Sequence, residues 1–150
     1  MAQPPVSSLT GGCLCGGVRY NVNIKAEDSW PPDCRKWGGT ILMHFIAFKP
    51  SQIAWEGSPV EFESSPGRFR RFCPTCGTNL TWREVVEGLD EVELCVGTLD
   101  EEFLKDGKLA RDLLDPIGGR FWAQNEISGM DYGFTGGKRH MEGSKSEVIE

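Results

Sequence analysis

Six cysteines stand among the 150 residues, and four of them form two tight pairs. Cys73-Pro74-Thr75-Cys76 runs into Gly77, and Cys13-Leu14-Cys15 runs into Gly16-Gly17. Two thiolates at i and i+3 can grip one ion while amides of the turn point at the sulfurs. Gly77 accepts the tight geometry that follows. One CxxC fixes half of a tetrahedral site, and the Cys13/Cys15 pair supplies the other half. A closed four-thiolate site leaves no position for water or substrate. The expectation is therefore one structural zinc, held by Cys13, Cys15, Cys73 and Cys76. A redox dithiol is the competing reading of CxxC, and it wants a βαβ context with the first cysteine at a helix N-terminus. This motif instead sits between strand-like segments. A four-thiolate zinc carries a net charge of about −2, and Arg19, Arg70 and Arg71 lie near the knuckles in sequence.

The other two cysteines are single. Cys95 sits in an apolar stretch and reads as a packed residue. Cys34 lies in a Pro-rich loop, Trp30-Pro31-Pro32-Asp33-Cys34-Arg35-Lys36-Trp37, where basic neighbours favour a thiolate. The alternative for Cys34 is a residue packed under Trp30 or Trp37. His44 follows in an otherwise apolar segment. It is either a core histidine or, if it faces a pocket, a general acid–base near neutral pH.

These residues must be positioned by strands and turns. Nineteen glycines and nine prolines disfavour long helices. Residues 18–24 alternate, with Val18, Tyr20, Val22 and Ile24 on one face of a strand. Residues 40–48 read as a buried strand, 53–55 as a short one, and 60–63 with 68–72 as a hairpin. Residues 78–83 and 91–96 read as two more, the latter with Val92, Leu94 and Val96 on one face and Glu91, Glu93 and Cys95 on the other. Residues 11–17 read as a turn, 100–104 as a short helix or turn, and 105–135 as irregular chain anchored by Leu113, Leu114, Ile117, Phe121 and Trp122. The expected organisation is a lead-in over 1–10, a single β domain over 11–135 and a flexible tail over 136–150.

Composition narrows the partners. Acidic residues exceed basic ones, 22 against 16, for a net charge of −6. That argues against nucleic acid, which wants a basic face, and against anionic membranes. The apolar run over 41–48 is far shorter than the roughly 20 residues of a membrane helix. The start, MAQPPVSSL, has neither a basic nor an apolar signal region. The expectation is a cytoplasmic protein acting on a small molecule, with its oligomeric state open.

Four motifs occur in order: Gly12-Cys13-x-Cys15-Gly16-x-Val18-Arg19-Tyr20, Cys34-Arg35-Lys36-x-Gly38-Gly39, Phe72-Cys73-Pro74-x-Cys76-Gly77-Thr78-x-Leu80, and Val96-Gly97-Thr98-Leu99-Asp100. Together they resemble the glutathione-dependent formaldehyde-activating family, which includes the centromere protein V domain. The resemblance implies coiled antiparallel β-sheets around zinc, an Mss-four-like fold. It implies Cys13, Cys15, Cys73 and Cys76 as ligands of the structural ion. It also implies a carbon–sulfur lyase ancestry, in which formaldehyde is joined to or released from glutathione.

The chain departs from that family at its second zinc site, which looks like Cys-x-Cys-x-x-Cys followed by Arg-Lys. Counting back from Cys34, the other two ligand positions hold Pro31 and Ser29. Proline has no ligating side chain and serine is a poor zinc ligand. The leading reading is an enzyme with its structural zinc kept and its catalytic zinc lost. It would use metal-free acid–base or thiol chemistry of lyase, isomerase, dehydratase or cyclase type. His44, Cys34 and Asp33 are the catalytic candidates, and Arg35, Lys36, Trp37 and Trp30 the substrate-binding ones; Arg83 and Glu84 are further candidates. A retained carbon–sulfur lyase on a glutathione adduct is the second reading, with Arg35, Lys36 and the arginines of 68–71 pairing its carboxylates. A non-catalytic zinc-stabilised binding module is the third. The substrate would be a small molecule, a glutathione adduct or an aromatic metabolite. A second metal site rebuilt from Cys34, Asp33 and His44 or His140 is a further possibility.

Overall fold

The computed structural model describes residues 7–24, 35–114, 119–121, 123, 137–141 and 148–149. These are mainly β, in antiparallel sheets, as expected of an Mss-four-like fold. Strands β1 (Ser8–Gly12), β2 (Arg19–Asn23) and β4 (Ile53–Glu56) form one sheet in the order β1-β2-β4. Strands β3 (Phe45–Phe48), β5 (Val60–Ser65), β6 (Arg68–Phe72), β7 (Asn79–Glu84) and β8 (Val92–Cys95) form a second, in the order β3-β8-β7-β6-β5. Helix α1 (Arg35–Gly38) precedes β3, and α2 (Glu101–Lys105) and α3 (Gly107–Leu114) follow β8.

The alternation read in β2 is realised: Val18, Tyr20 and Val22 are buried, while Asn21 and Asn23 are exposed. The hairpin forms too, with Val60 opposite Phe72 and Ser65 opposite Arg68. In β8 the two faces separate as expected. Val92, Leu94 and, just beyond the strand, Val96 enter the main core with Leu9, Ile46, Phe48 and Leu80. Cys95 enters a second cluster with Met43 and Phe45, against which Trp37 and Trp82 pack.

Three expectations need correction. The chain before Gly12 is not all lead-in or turn, because β1 starts at Ser8 and pairs along its whole length with β2, burying Leu9 completely. The strand expected over 40–48 pairs only from Phe45. Its partner leaves the sheet at Val96, whose N–H makes a last bond to the His44 carbonyl before turning into a short 3-10 segment. The stretch after residue 105 is not all irregular. Asp106 accepts bonds from the Lys108 and Leu109 amides as an N-cap, and α3 then buries Leu109 and Leu113 one turn apart. Beyond residue 136, β9 (Arg139–His140) and β10 (Val148–Ile149) form a short antiparallel pair.

An ion cluster ties the three strands at one end of the larger sheet. Glu61 on β5 accepts from Arg71 on β6 at 2.9 Å and from Arg83 on β7 at 2.7 Å. The Arg83 bond, then the Arg71 bond, hold the Glu61 carboxyl below its ordinary range. A carboxylate with a depressed native pKa adds stability that is complete above its unfolded value, about 4.3, and is lost as pH falls through the native value. Glu61→Gln should therefore flatten the acid limb of a stability–pH profile below about pH 4.3 and cost about 1 kcal/mol at pH 7. An unchanged acid limb in urea titrations would assign no such role to Glu61.

Candidate functional site

The two knuckles are built alike. The Cys13 amide bonds the Val18 carbonyl at 2.9 Å, and the Cys73 amide bonds the Thr78 carbonyl at 3.0 Å. Each first cysteine thus closes a small loop that turns its sulfur inward. Cys13 and Cys73 are buried, whereas Cys15 is exposed and Cys76 half-buried. Leu14 donates its amide to the Thr78 hydroxyl at 3.0 Å, joining one loop to the other. Gly77 has a φ of 73°, the left-handed conformation that glycine adopts without strain. The motif joins two antiparallel strands, β6 and β7, and no helix starts there, so the redox-dithiol reading lacks its structural context.

All four sulfurs lie within 4.8 Å of one another. Cys13 and Cys15 are 3.4 Å apart, and Cys15 and Cys73 3.7 Å. A tetrahedral four-thiolate zinc has sulfur–sulfur edges of about 3.8 Å. The donor set and its spacing therefore fit a metal ion such as zinc, held by the four cysteines named from the sequence. Their electrostatics agree. The Thr78 hydroxyl and amide draw the Cys76 thiol down to about 5. The Gly17 amide favours the Cys15 thiolate too, but Cys13, Cys73 and Cys76 beside it push that thiol up to about 12. Four thiolates in one place repel one another, and a cation at their centre relieves this. Of the arginines expected to offset the charge, Arg19 is paired with Asp100 and Arg71 with Glu61.

Among the described residues this is the one group of three or more potential ligands. Asp33, Cys34 and Trp30 lie outside those residues, as do Ser29 and Pro31. Arg35 and Lys36 form the start of α1. Trp37 is half-buried in the second cluster, and its carbonyl accepts from the Asn79 side chain at 2.6 Å. His44 is half-buried between Met43 and Phe45, and burial lowers its pKa, favouring neutral imidazole. His140 is buried with its ring 5.0 Å from that of Phe121. The arginines proposed for glutathione carboxylates are largely engaged: Arg68 with Glu84 at 2.6 Å, and Arg71 with Glu61. Glu84 is occupied by the first of these pairs, and Arg83 is also held by Glu61.

The second cluster exposes a residue that the sequence reading placed on the correct face without assigning it a role. Glu93 lies opposite Ala47 on β3 and Trp82 on β7. Next along the same row, Trp82 is opposite Arg70 on β6, whose guanidinium sits 5.3 Å from the Trp37 ring centre. Glu93 is half-buried. Burial, then the charges of Glu91 and Glu84, raise its pKa to about 8. The sequence signal was an acidic residue sharing a strand face with buried Cys95.

The family model described as glutathione-dependent formaldehyde-activating enzyme matches residues 8–115. It starts where β1 starts and ends just after α3, so it covers both knuckles and the larger sheet. No curated protein matches the chain. No helix among the described residues is long and apolar enough to cross a membrane.

Proposed function

The chain belongs to the glutathione-dependent formaldehyde-activating enzyme family, and from that premise we propose an enzyme that has left the family's zinc chemistry. One zinc, held by Cys13, Cys15, Cys73 and Cys76, cross-links the scaffold. The chemistry is metal-free acid–base or thiol work on a small organic substrate, with His44, Cys34 and Asp33 as its groups and Arg35, Lys36, Trp37 and Trp30 around them. The observation that carries this reading is the donor set ahead of α1. Ser29, Pro31 and Cys34 offer one thiolate where the family's pattern has three, and such a set does not fit a second zinc.

Two structural features support the acid–base part. Burial favours the neutral form of His44 at pH 7, so it can accept a proton. Trp37, on helix α1, packs into an apolar cluster at the larger sheet, the kind of surface that takes a small ligand. The alternative of a retained carbon–sulfur lyase is disfavoured by the engagement of Arg68 and Arg71 with carboxylates.

The test is the family reaction itself. Formaldehyde and glutathione are mixed with folded protein, and adduct formation is followed by proton NMR. The expected result is no rate above the uncatalysed one. Acceleration lost in Cys34→Ala would restore the lyase reading and overturn this one.

A further inference from the structure

We propose that Cys15 is a modification site for hydroperoxides, with Cys73 as its resolving partner. Oxidation exchanges the ion that joins the two knuckles for a disulfide that joins the same two. The inference goes beyond the reading above and needs only the four-cysteine ion.

The four sulfurs are not equally open. Cys73 is 1% exposed and Cys13 6%, so both are nearly closed to solvent. Cys76 is half-buried, and its sulfur lies 3.2 Å from the Thr78 hydroxyl. Cys15 alone of the four is exposed. The two glycines that follow it leave its sulfur uncovered. A Cβ at Gly17 would stand 3.5 Å from the Cys15 sulfur, and a Cβ at Gly16 would meet nothing within 4 Å. Leu14, just before it, is 88% exposed and stands in solvent rather than over the cluster. A thiol that holds a metal is deprotonated outright. An accessible thiolate beside a second sulfur is the arrangement that peroxide converts to a disulfide.

Two sulfurs lie close to that of Cys15: Cys13 at 3.4 Å and Cys73 at 3.7 Å. A disulfide needs about 2.05 Å. Cys13 and Cys15 share one short loop, which is pinned by hydrogen bonds. The Cys13 sulfur accepts the Val18 amide at 3.3 Å, and the Cys13 carbonyl accepts the Gly16 amide at 3.1 Å. A Cys13–Cys15 ring would have to distort that loop. Cys73 is 58 residues away along the chain, on the other knuckle, so the Cys15 side chain can approach it by turning about its own bonds. A bond between them closes a long loop, the kind that constrains the unfolded chain most.

The chemistry balances with hydrogen peroxide as the oxidant. The Cys15 thiolate attacks one peroxide oxygen. An S–O bond forms, the O–O bond breaks, and hydroxide leaves, giving the sulfenic acid. The Cys73 thiolate then attacks the Cys15 sulfur. The S–S bond forms, the S–O bond breaks, and a second hydroxide leaves. The two thiolates have lost two electrons and the peroxide has gained them. Cys13 and Cys76 remain as thiols, too few for a four-thiolate site, and the zinc is released.

Zinc is first counted on the purified chain. Hydrogen peroxide is then added beside a weak colorimetric zinc chelator, and the cysteines are mapped by mass spectrometry. The expected result is loss of the one zinc in step with a Cys15–Cys73 disulfide. Dimedone, which traps sulfenic acid, should label Cys15 first among the four. Gly17→Val keeps all four cysteines and sets side-chain carbons against the Cys15 sulfur, so it should release zinc more slowly. Gly17 does not have the positive φ that would strain valine. The oxidised, zinc-free chain should still melt cooperatively, whereas reduced chain stripped of zinc should not.

Dimedone on another of the four, a disulfide joining any other pair, or Gly17→Val as fast as wild type overturns the inference. So does zinc kept by wild type while glutathione in the same tube is fully oxidised. One zinc with an unreactive Cys15 removes this inference alone. A folded chain without zinc removes the structural-zinc reading with it.

Discussion

Cys73→Ser should abolish the cooperative unfolding transition and release the bound zinc. The reason is where the four thiols come from. Cys13 and Cys15 lie in the connection between β1 and β2, whereas Cys73 and Cys76 lie in the connection between β6 and β7. An ion shared by the four therefore staples the three-stranded sheet to the five-stranded one. Such ions contribute roughly 10–16 kcal/mol of apparent folding free energy in small zinc domains, against a total stability of about 5–15 kcal/mol for a typical domain. Cys73 is the most buried of the four at 1% exposure, so serine there also leaves a polar group in an apolar setting. On the proposed reading Cys34 is no ligand of this ion, so Cys34→Ser should melt within a few degrees of wild type. The measurement is a thermal melt with zinc released to a colorimetric chelator. Equal melting temperatures for wild type and Cys73→Ser would refute the structural role of the metal.

Leu94→Ala should cost about 2–5 kcal/mol and lower the melting temperature by about 10 °C. Leu94 is fully buried on β8, next to the edge strand β3 and opposite both Ile46 and Thr81. Truncation there opens a cavity between two strands that cannot close without breaking ladder bonds. The neighbouring change, Glu93→Gln, should do the reverse. The native pKa of Glu93, about 8, lies above its unfolded value, so the native state holds the proton more tightly. Stability from that group is complete below about pH 4.3 and is lost as pH rises through 8. Glutamine removes the loss, so Glu93→Gln should match wild type near pH 4 and exceed it at pH 8.5. Urea titrations at both pH values check this pair. A Leu94→Ala loss under 1 kcal/mol, or a Glu93→Gln gain that does not grow with pH, would contradict the face assignment of β8.

The sequence carried the four-cysteine cluster well, because cysteine spacing and following glycines are local signals. Cys13, Cys15, Cys73 and Cys76 needed only one long-range fact, that the two turns meet. Period-two alternation likewise marked β2 and the two faces of β8, and the turn Ser64-Ser65-Pro66-Gly67 marked the β5–β6 hairpin. Two elements were missed for different physical reasons. β1 holds two glycines among its five residues, and it is a strand because β2 pairs with it, which is a tertiary cause. Helix α3 had a local signature in Asp106 and in Leu109 with Leu113, which the surrounding glycine and later irregular sequence obscured. Glu93 was legible as to face but not as to role. An isolated glutamate on the second face of a strand normally meets water. On this face Trp82 stands opposite Glu93, and Trp37 packs into the neighbouring apolar cluster.

The central claim is a scaffold with one zinc and a metal-free site beside it. Zinc per folded chain, measured by elemental analysis after dialysis against buffer without chelator, tests it most directly. The account predicts one zinc per chain, lost in Cys73→Ser and kept in Cys34→Ser. Two zincs per chain, with one lost in Cys34→Ser, would contradict it and return the family's zinc-dependent reaction to this protein.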